Sequence, residues 1–535
     1  MAESSRQLAC PPARRAMFSS VLVAWSRFAV CITLVLLQCA SLARAFVPTD
    51  HQTASANARA TTWATFAKSG MLGNNDDSGD STIRNKRILI YWRGEALEDY
   101  SKDFRLLELT GALRAVLEGR CWSQDEQALG LDLSTLGDSI TFTNALVCSD
   151  EAAKGMSERE VDLFNSSLQY LEFACPSDDD AMASASFADM ISLDDLQKTV
   201  ERCSLVNSIY QIGALEQTYE ELNSKTESSG TFADLINGDN GTEKKWRFRL
   251  RYFGSEGGRK GSRFGNRTTR SVKKERDALS SLEPLLAQFG GKVDLESPDV
   301  NVVLFEGIGQ EGKEMALTRH LGSGPQISVM NPNTRVCVTN TPLCPIAAYS
   351  MCNIARVGPK QAILDPYSGS CATLLAATLI EPTVKCVGVE IAHDGLVNRR
   401  DIVADFTTRG LQPPVALVEG DATDKIVRDK AVEAVGGPFD VICADPPYGL
   451  RESLSSNPLQ DMLNMIAKDR DAGHRLLKVG GRMAVFVPLS KEDNIDDVLP
   501  KEDVLIEVGL RQNVVQRQQL NDGLDRFLVA YECIG

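Results

Sequence analysis

Histidine is the rarest residue in this chain of 535 residues, and its four copies are widely dispersed. They occur at His51, His320, His393 and His474. None of the 14 cysteines belongs to a CxxC pair or to a Cys/His cluster with the spacing of a zinc site. The sequence therefore predicts no metal centre and argues against a His-based catalytic triad. We interpret most of the cysteines as reduced, buried thiols.

Apolar runs long enough to cross a membrane are missing near the N terminus. The run Phe28–Leu37 spans little more than half of the roughly 20 residues that a transmembrane helix needs. Arg14 and Arg15 precede it, and the small-residue site Ala43–Ala45 follows it, which is the layout of a cleavable signal peptide. We predict that residues 1–45 are removed and that no stable membrane anchor remains.

Acidic residues are scarce in the next segment, residues 46–70, which is rich in Ala, Ser and Thr and has transit-peptide composition. Residues 71–85 are polar and rich in Gly, Asp and Ser, and predict a linker. A signal peptide followed by a transit-like segment resembles the bipartite presequences of algae with complex plastids. The sequence therefore predicts a plastid (chloroplast) location, and the secretory pathway is the alternative.

Positive charge is in short supply over the chain as a whole. The net charge is −15, and it becomes −19 without residues 1–45, which hold five Arg and one Glu. Nonspecific nucleic-acid binders are usually basic, so a nucleic-acid function would need a local patch. Residues 244–276 supply one, with thirteen Lys/Arg against two Glu and with interleaved aromatic residues. We expect a strand followed by a basic loop that contacts RNA, with a merely solvated loop as the alternative.

The remaining composition, 43% hydrophobic and 24% charged, is that of a soluble globular protein of two or three domains. A strand at 87–92 and a helix at 104–117 open a first folded region, 86–325, which we expect to be α+β. Within it, residues 151–200 hold eleven acidic and three basic residues. This segment is predicted to be a solvated insertion with helical ends.

Short apolar strands alternate with amphipathic helices through the second region, 326–535. The strands are predicted at 361–365, 384–390, 415–421, 439–445, 482–489, 503–510 and 526–534. Alternation of this kind predicts an α/β fold with a parallel sheet and crossover helices. The last two strands are joined without a helix, which favours an antiparallel pair at that edge. Seven strands with such an end resemble the class I (Rossmann-like) methyltransferase sheet.

Candidate cofactor-binding residues follow the first three of these strands, where ligands bind in open α/β sheets. Asp365 ends the first strand and begins a tight turn that contains Gly369. Glu390 ends the second strand, at the usual position of an acid that holds a ribose, and Asp421 ends the third. A Rossmann NAD site would also use such an acid, but the first turn lacks the GxGxxG spacing. S-adenosylmethionine, which has no phosphate, fits this pattern better.

The sequence Asp445-Pro446-Pro447-Tyr448 directly follows the fourth strand. The exocyclic amine of a base is a poor nucleophile, because its lone pair is delocalised into the ring. The Asp445 carboxylate and the Pro446 carbonyl can accept hydrogen bonds from the two N–H groups of this amine. The two prolines hold the backbone extended, and Tyr448 can stack on the base. The alternatives are a capping aspartate and a core tyrosine. Candidate ligand-binding residues follow each of the first four strands in the order that such a site requires, and this favours a catalytic role for Asp445 and Tyr448.

At this point the chain resembles the tRNA guanosine N2-methyltransferases that modify guanosine 10, whose catalytic domain follows an RNA-binding half that contains a THUMP domain. The resemblance rests on DPPYGLRES (445–453), DFRLLEL (103–109), RCSLVNSIYQIGALEQTYEEL (202–222) and KVDLESPDV (292–300). Cys371 stands where the family has Gly, and Asn340–Leu343 replaces its NTSM segment. A requirement for positive φ at Cys371 would disfavour this side chain.

The resemblance implies an S-adenosylmethionine-dependent enzyme that methylates tRNA, with a THUMP-like region at 86–325. It implies cofactor binding by Asp365, Tyr367, Gly369, Glu390, Asp421 and Ala422, and catalysis by Asp445, Pro446, Pro447 and Tyr448. A small zinc-binding activator subunit is a further implied partner. The alternatives are an rRNA or DNA amino-methyltransferase, or an inactive RNA-binding protein of the same fold.

Overall fold

The computed structural model describes residues 86–123, 133–148, 153–173, 187–236, 244–253, 272–309, 311–391, 397–448, 457–521 and 523–535. The predicted signal peptide, transit segment and linker (1–85) lie outside the described residues, and so does most of the basic loop (254–271). Of the helices in the described stretches, none combines the length and the apolar character that crossing a membrane requires.

The first half of the described chain builds a mixed sheet of eight strands. These are β1 (Ile88–Trp92), β2 (Ile140–Asn144), β3 (Leu168–Phe173), β4 (Val206–Glu216), β5 (Lys245–Tyr252), β6 (Lys292–Val293), β7 (Val300–Ile308) and β8 (Glu314–Ser323). They lie in the order β2-β3-β1-β4-β8-β7-β5-β6. Neighbours are antiparallel, except that β5 is parallel to β6 and to β7. The predicted first strand corresponds to β1.

The described part of this half also contains nine helices. These are α1 (Gly94–Asp99), α2 (Lys102–Ser123), α3 (Glu158–Asn165), α4 (Phe187–Met190), α5 (Leu193–Arg202), α6 (Tyr219–Ser228), α7 (Ala233–Ile236), α8 (Val272–Ser281) and α9 (Glu283–Leu286). The predicted helix at 104–117 is confirmed as part of α2. Together with the eight strands, these helices confirm the α+β character expected of this region.

Strand β5 shows how the sequence separates the two faces of the first sheet. Trp246 and Phe248 join the core that includes buried residues of α6, α8 and α9. Arg247 and Arg251 alternate with them and therefore lie on the opposite face, because successive side chains of a strand point to opposite sides. There the Arg251 guanidinium lies 5.0 Å from the centre of the Tyr91 ring. One face of β5 is thus apolar and the other is cationic.

The described parts of the acidic segment 151–200 belong to the folded first half, so the predicted solvated insertion is wrong, although α3 and α5 match its predicted helical ends. Strand β3 lies within it and pairs with both β1 and β2. Helix α5 contributes Leu196 and Val200 to the main core. Charge counting fails here because an amphipathic helix carries both its acidic residues and a buried apolar face. The run Asp178–Asp180 lies outside the described residues.

The second half of the described chain forms a sheet of seven strands in the order β11-β10-β9-β12-β13-β15-β14. The strands are β9 (Ala362–Asp365), β10 (Lys385–Glu390), β11 (Ala416–Glu419), β12 (Phe439–Ala444), β13 (Leu477–Ser490), β14 (Leu510–Gln519) and β15 (Leu524–Cys533). The helices are α10 (Pro345–Ile354), α11 (Ala372–Ile380), α12 (Arg399–Thr407), α13 (Lys425–Val435), α14 (Pro458–Asp471) and α15 (Glu502–Glu507). Strands β9 to β13 are parallel, whereas β15 is antiparallel to β13 and β14. The predicted α/β sheet with an antiparallel end is confirmed.

The predicted strand at 503–510 is wrong in position. Residues Glu502–Glu507 form α15, in which Leu505 is buried while Val504 and Ile506 are exposed. Strand β14 instead begins at Leu510 and runs through residues that the sequence predicts as a loop. Most of its side chains are polar because it is an edge strand of the sheet, where few apolar contacts are required.

A buried polar seam joins the two halves, and Glu108 of α2 lies at its centre. The Glu108 carboxylate accepts hydrogen bonds from the backbone N–H groups of Ser204 and Leu205, each at 2.9 Å, and from Asn353 Nδ2 of α10 at 3.1 Å. Arg202 Nε donates to Asn353 Oδ1 at 2.9 Å. Burial raises the pKa of Glu108, and these hydrogen bonds oppose the rise. The same hydrophobic core surrounds the seam and contains residues of both halves.

Candidate active site

The strand ends that the sequence assigns to the cofactor and to the target base lie side by side. Strand β9 ends at Asp365, its neighbour β10 ends at Glu390, and its other neighbour β12 is followed directly by Asp445. In the turn after β9, the Gly369 N–H donates a 2.8 Å hydrogen bond to Glu390 Oε2. Burial above all, and then the charges of Asp445 and Glu390, raise the pKa of Asp365 to about 7. The structure therefore brings these four predicted residues together.

Cys371 adopts the positive-φ backbone conformation, which is energetically unfavourable for a residue with a side chain. Its φ is 59° and its ψ is 35°, which is the left-handed region, and its side chain is fully buried. The backbone N–H of Cys371 donates to the Ser368 carbonyl at 2.6 Å, which closes the turn that leads into α11. A left-handed residue with a side chain costs roughly 1–2 kcal/mol. The turn is thus strained in this chain at a position where glycine would not be.

The open side of this turn fits a cofactor that approaches the backbone. Among the described residues, a side chain added at Gly369 would find only a Thr339 methyl group within 4 Å, at 3.7 Å. The Glu390 carboxylate accepts N–H bonds from Gly369 and from Ile391, and a carboxylate can accept further bonds from a ribose. Ile391 is 71% exposed next to it and offers an apolar surface to a flat ring. Paired carboxylates without a phosphate-binding loop suit the cationic, phosphate-free S-adenosylmethionine.

The other three predicted cofactor residues lie at the rim of this region. Tyr367 donates its backbone N–H to Asp365 Oδ1 at 3.1 Å, and its ring packs against the core between the second sheet and α14. Asp421 is exposed beyond the end of β11, where its Oδ1 accepts two 2.8 Å bonds from Thr423. Ala422 is buried, and its carbonyl accepts from Arg428. Their contacts with a cofactor stay predictions.

The corner after β12 holds the predicted catalytic residues. Pro446 is buried, Pro447 and Tyr448 are half-buried, and residues 449–456 lie outside the described part of the chain. The Tyr448 hydroxyl donates a 2.6 Å hydrogen bond to Asp445 Oδ1. Burial raises the pKa of Asp445, whereas the Arg526 charge and the Tyr448 hydrogen bond lower it. The Asp445 side chain keeps 20% of its exposure, which leaves it accessible to an incoming group.

Arg526 of β15 belongs to this corner, and the sequence reasoning missed it. Its Nη1 lies 3.2 Å from the Tyr448 hydroxyl and 4.0 Å from Asp445 Oδ1. The signal that could have revealed it is the arginine that begins the apolar run RFLVAYECI, since an arginine buried in a strand requires partners.

The first half of the chain also reaches this corner through Tyr100, between α1 and α2. The Tyr100 hydroxyl is buried and has no hydrogen-bond partner in the described structure. Burial raises the pKa of Tyr100, and the Arg526 charge opposes the rise, so the two side chains are near each other. The first half therefore contributes a neighbour of Arg526 to this corner.

Comparisons with known proteins agree with this geometry. Residues 332–492, which include β9 to β13 and every predicted site residue, match the family model described as UPF0020, RMKL-like, methyltransferase domain. The chain is 24% identical over 281 residues to the tRNA (guanine(10)-N(2))-methyltransferase TRMT11 of Xenopus laevis, which covers 44% of this chain and 57% of the frog protein. It is 26% identical over 214 residues to the tRNA (guanine(10)-N(2))-methyltransferase of Saccharomyces cerevisiae, covering 33% and 46%.

Among solved structures, TrmN from Thermus thermophilus matches 74% of this chain and 99% of its own, with 18% identity and a TM-score of 0.33. The chain spans about 57% of the length of the frog relative. The family model and the two named relatives agree with the resemblance that the motifs predict. Residues 332–492 thus match the UPF0020 methyltransferase-domain model, within a chain similar to the tRNA guanine N2-methyltransferases.

Proposed function

We propose that this protein is an S-adenosylmethionine-dependent methyltransferase that modifies the exocyclic N2 amine of guanosine in tRNA, at position 10 by resemblance. The observation that carries the proposal is the placement of Asp445 and Tyr448 beside Asp365 and Glu390 at the carboxyl ends of adjacent strands. The two relatives named for guanine-10 N2 methylation in tRNA support the choice of base and polymer.

Asp445 and Pro446 prepare the amine for attack. Hydrogen bonds from the two N–H groups to the Asp445 carboxylate and to the Pro446 carbonyl would hold the nitrogen and draw its lone pair out of the ring. Because Asp445 Oδ1 accepts the Tyr448 hydroxyl, we assign Oδ2 to the amine. Tyr448, oriented by the same bond, offers its ring to the base. Asp445 then takes the proton that nitrogen loses and passes it to water.

When bound, S-adenosylmethionine would supply an electrophilic methyl group to the nitrogen lone pair, and its sulfur would keep the electron pair of the C–S bond. On this chain, Glu390 would hold the ribose and the Gly369 turn would lie against the rest of the cofactor. The Glu390 carboxylate complements a positive charge on the ligand, and such a charge would also favour the ionised form of Asp365.

The test is methyl transfer by the chain without residues 1–70, with isotopically labelled cofactor and total plastid tRNA, followed by mass spectrometry of the nucleosides. We expect labelled N2-methylguanosine from the wild type and none from Asp445→Ala. Label in N6-methyladenosine, or in rRNA or DNA but not tRNA, would contradict the proposal. No uptake of S-adenosylmethionine by the same protein in calorimetry would favour an inactive RNA-binding protein of this fold.

A second candidate substrate comes from one relative. The chain is 22% identical over 213 residues to the mouse U6 snRNA (guanine-N(2))-methyltransferase THUMPD2, which covers 40% of this chain and 35% of the mouse protein. The chemistry at Asp445 would be the same, so only the RNA distinguishes the two candidates. A competition assay with equal amounts of tRNA and U6 snRNA decides between them.

We infer that the first half, which we propose to be THUMP-like, binds the RNA through the cationic face of its sheet. Arg247 and Arg251 line this face of β5, and the basic loop 254–271 directly follows the strand. Cationic side chains on one face allow affinity to arise from phosphate contacts although the whole chain is acidic. The loop itself lies outside the described residues. Neutralising Arg259, Lys260, Arg263, Arg267 and Arg270 should flatten the salt dependence of tRNA binding, and an unaltered slope would make the loop a bystander.

We also propose that a small zinc-binding activator subunit assists this enzyme, as the resemblance implies. The outer strand of the second sheet supports an interaction there, because Val415 beside β11 and Ile426 at the start of α13 are exposed apolar residues, and β11 is the edge strand of the sheet that the described residues form. Full activity of the purified chain alone, with no increase on adding a candidate subunit, would contradict this proposal.

We propose a plastid location, with residues 1–45 cleaved as a signal peptide and residues 46–70 acting as a transit peptide. The motifs of the sequence alone support it. A fluorescent fusion of residues 1–70 should enter plastids, and its secretion would overturn the proposal.

A further inference from the structure

Arg526 is a buried cation in the middle of a three-stranded part of the second sheet. It lies on β15 opposite Pro488 of β13 and Gln518 of β14. Only 4% of the residue is exposed. Burying a guanidinium is costly unless hydrogen bonds and an opposite charge compensate for the lost water. The groups that compensate for the burial of Arg526 therefore indicate its role in the site.

Three contacts hold the guanidinium in one orientation. Its Nε donates a 2.7 Å hydrogen bond to Gln518 Oε1, and its carbon lies 4.1 Å from the centre of the Phe486 ring. Its Nη1 donates to the Tyr448 hydroxyl at 3.2 Å. Gln518 is itself buried, so the arginine is fixed at two ends of its planar fork.

The chain of donors continues from Arg526 to the catalytic carboxylate. Tyr448 receives a hydrogen bond from Arg526 and donates one to Asp445 Oδ1. Asp445 also lies within ion-pair distance of Arg526, at 4.0 Å. The other titratable groups that the structure places around this pair are Asp365 at the end of β9 and Tyr100 from the first half. Of these two groups, an ionised Asp365 would favour the protonated form of Asp445. The positive charge of Arg526 has the opposite effect on Asp445.

We propose that Arg526 is a positioning residue for methyl transfer, which orients the Asp445 carboxylate through Tyr448 and favours its ionised form as acceptor of the amine N–H. The inference rests on the proposed function of the Asp445 corner. An ionised carboxylate accepts a stronger hydrogen bond than a protonated one, and it can take the proton that the methylated nitrogen loses. Arg526 acts through Tyr448 and Asp445 and does not touch the reacting atoms.

The test compares wild type with Arg526→Gln, Arg526→Lys and Gln518→Ala. We expect Arg526→Gln to lower the rate of methyl transfer about 10²-fold near neutral pH. The acidic limb of its pH–rate profile should move to higher pH, so the loss shrinks in alkaline buffer, and S-adenosylmethionine affinity should stay unchanged. Arg526→Lys keeps the charge and should leave the limb in place with a reduced rate. Gln518→Ala removes only the Nε partner and should also leave the limb in place.

A second measurement does not need activity. Carbon-13 NMR of labelled aspartate carboxylates follows the titration of Asp445, whose signal is the one missing from Asp445→Asn. It should titrate at higher pH in Arg526→Gln than in wild type. An unmoved titration and an unmoved limb would overturn the inference, whereas a wild type inactive on every RNA with a shifted titration would overturn only the proposed function. If Arg526→Gln does not fold, Tyr448→Phe must shift the same signal upward, and no shift there overturns the inference.

Discussion

The Tyr448 hydroxyl lies 2.6 Å from Asp445 Oδ1, so the residue predicted to stack on the base also holds the carboxylate predicted to bind its amine. The two roles are compatible because the bond uses the hydroxyl and leaves the ring faces to the base. The hydrogen bond also couples the protonation state of Asp445 to the orientation of Tyr448. Several properties of the site can be tested on this basis.

Replacing Asp445 by alanine should abolish methyl transfer, with a loss of about 10² to 10³-fold or more, because one preorganised acceptor of the amine disappears. Cofactor affinity should be nearly unchanged, because Glu390 and the Gly369 turn remain. Single-turnover kinetics and calorimetry measure the two quantities separately. Loss of cofactor binding would mean that the catalytic and cofactor roles are wrongly divided.

The strain at Cys371 predicts an unusual order of stability between two variants. Both Cys371→Ala and Cys371→Gly lose the buried thiol, but only glycine relieves the left-handed backbone. The free energy of unfolding of the glycine variant should therefore be about 1 kcal/mol higher than that of the alanine variant. Cys352, buried in α10, is the matched control, and there glycine should be the less stable by about 0.5–1 kcal/mol. Urea denaturation gives all four values, and the same order at both sites would refute the strain.

Asp365 predicts a stability that falls as the pH rises. In the unfolded chain this carboxyl releases its proton near its ordinary pKa of 3.8, whereas burial raises the pKa of the folded group to about 7. The folded state therefore loses stability, on the order of 4 kcal/mol at most, as the pH rises through this window. Asp365→Asn cannot ionise, so its stability relative to wild type should increase from pH 4 to pH 8. Urea midpoints across this range measure it, with exposed Asp421→Asn as control; parallel curves for Asp365→Asn and wild type would contradict it.

The cationic face of β5 predicts a change in the salt dependence of RNA binding. Changing both Arg247 and Arg251 to glutamine should weaken tRNA binding and reduce the slope of log affinity against log salt by roughly 1 to 2. Lys198→Gln on α5 is the control, because this lysine lies on a helix on the other face of the sheet and already pairs with Asp194. Filter binding at several salt concentrations reads the slopes, and equal slopes for both proteins would exclude this face.

The seam at Glu108 predicts that the two halves unfold together. Glu108→Ala should destabilise the protein by about 3 kcal/mol or more, because the N–H groups of Ser204 and Leu205 lose a buried acceptor. Exposed Glu98→Ala should have little effect. Calorimetry should show one transition for the wild type. Two well-separated transitions, with the seam variant affecting only one, would contradict a shared core.

Much of the second sheet and its ligand edge could be predicted from sequence for a physical reason. Buried parallel strands form continuous apolar runs, and functional residues directly follow them, so Asp365, Glu390 and Asp445 are found by position alone. Strand β14 escaped because an edge strand needs no apolar alternation. Strand β3 and α5 escaped because counting charges hides an amphipathic pattern.

Contacts between distant segments set the limit of the prediction. Arg526 becomes a partner of Tyr448 only when β15 inserts between β13 and β14, and no local pattern encodes that position. Cys371 is intermediate: its departure from glycine was visible, and the structure supplied the backbone angle that makes it costly.

The seam through Glu108 and Asn353 also bears on how such proteins can be recombined. A chimaera that grafts the N-terminal half of a relative onto this methyltransferase domain would place foreign donors and acceptors against the buried Asn353. Such grafts should succeed only when α2, residues 202–205 and α10 are transplanted as one block, so the natural crossover point lies inside the second half and not at the boundary between the two sheets.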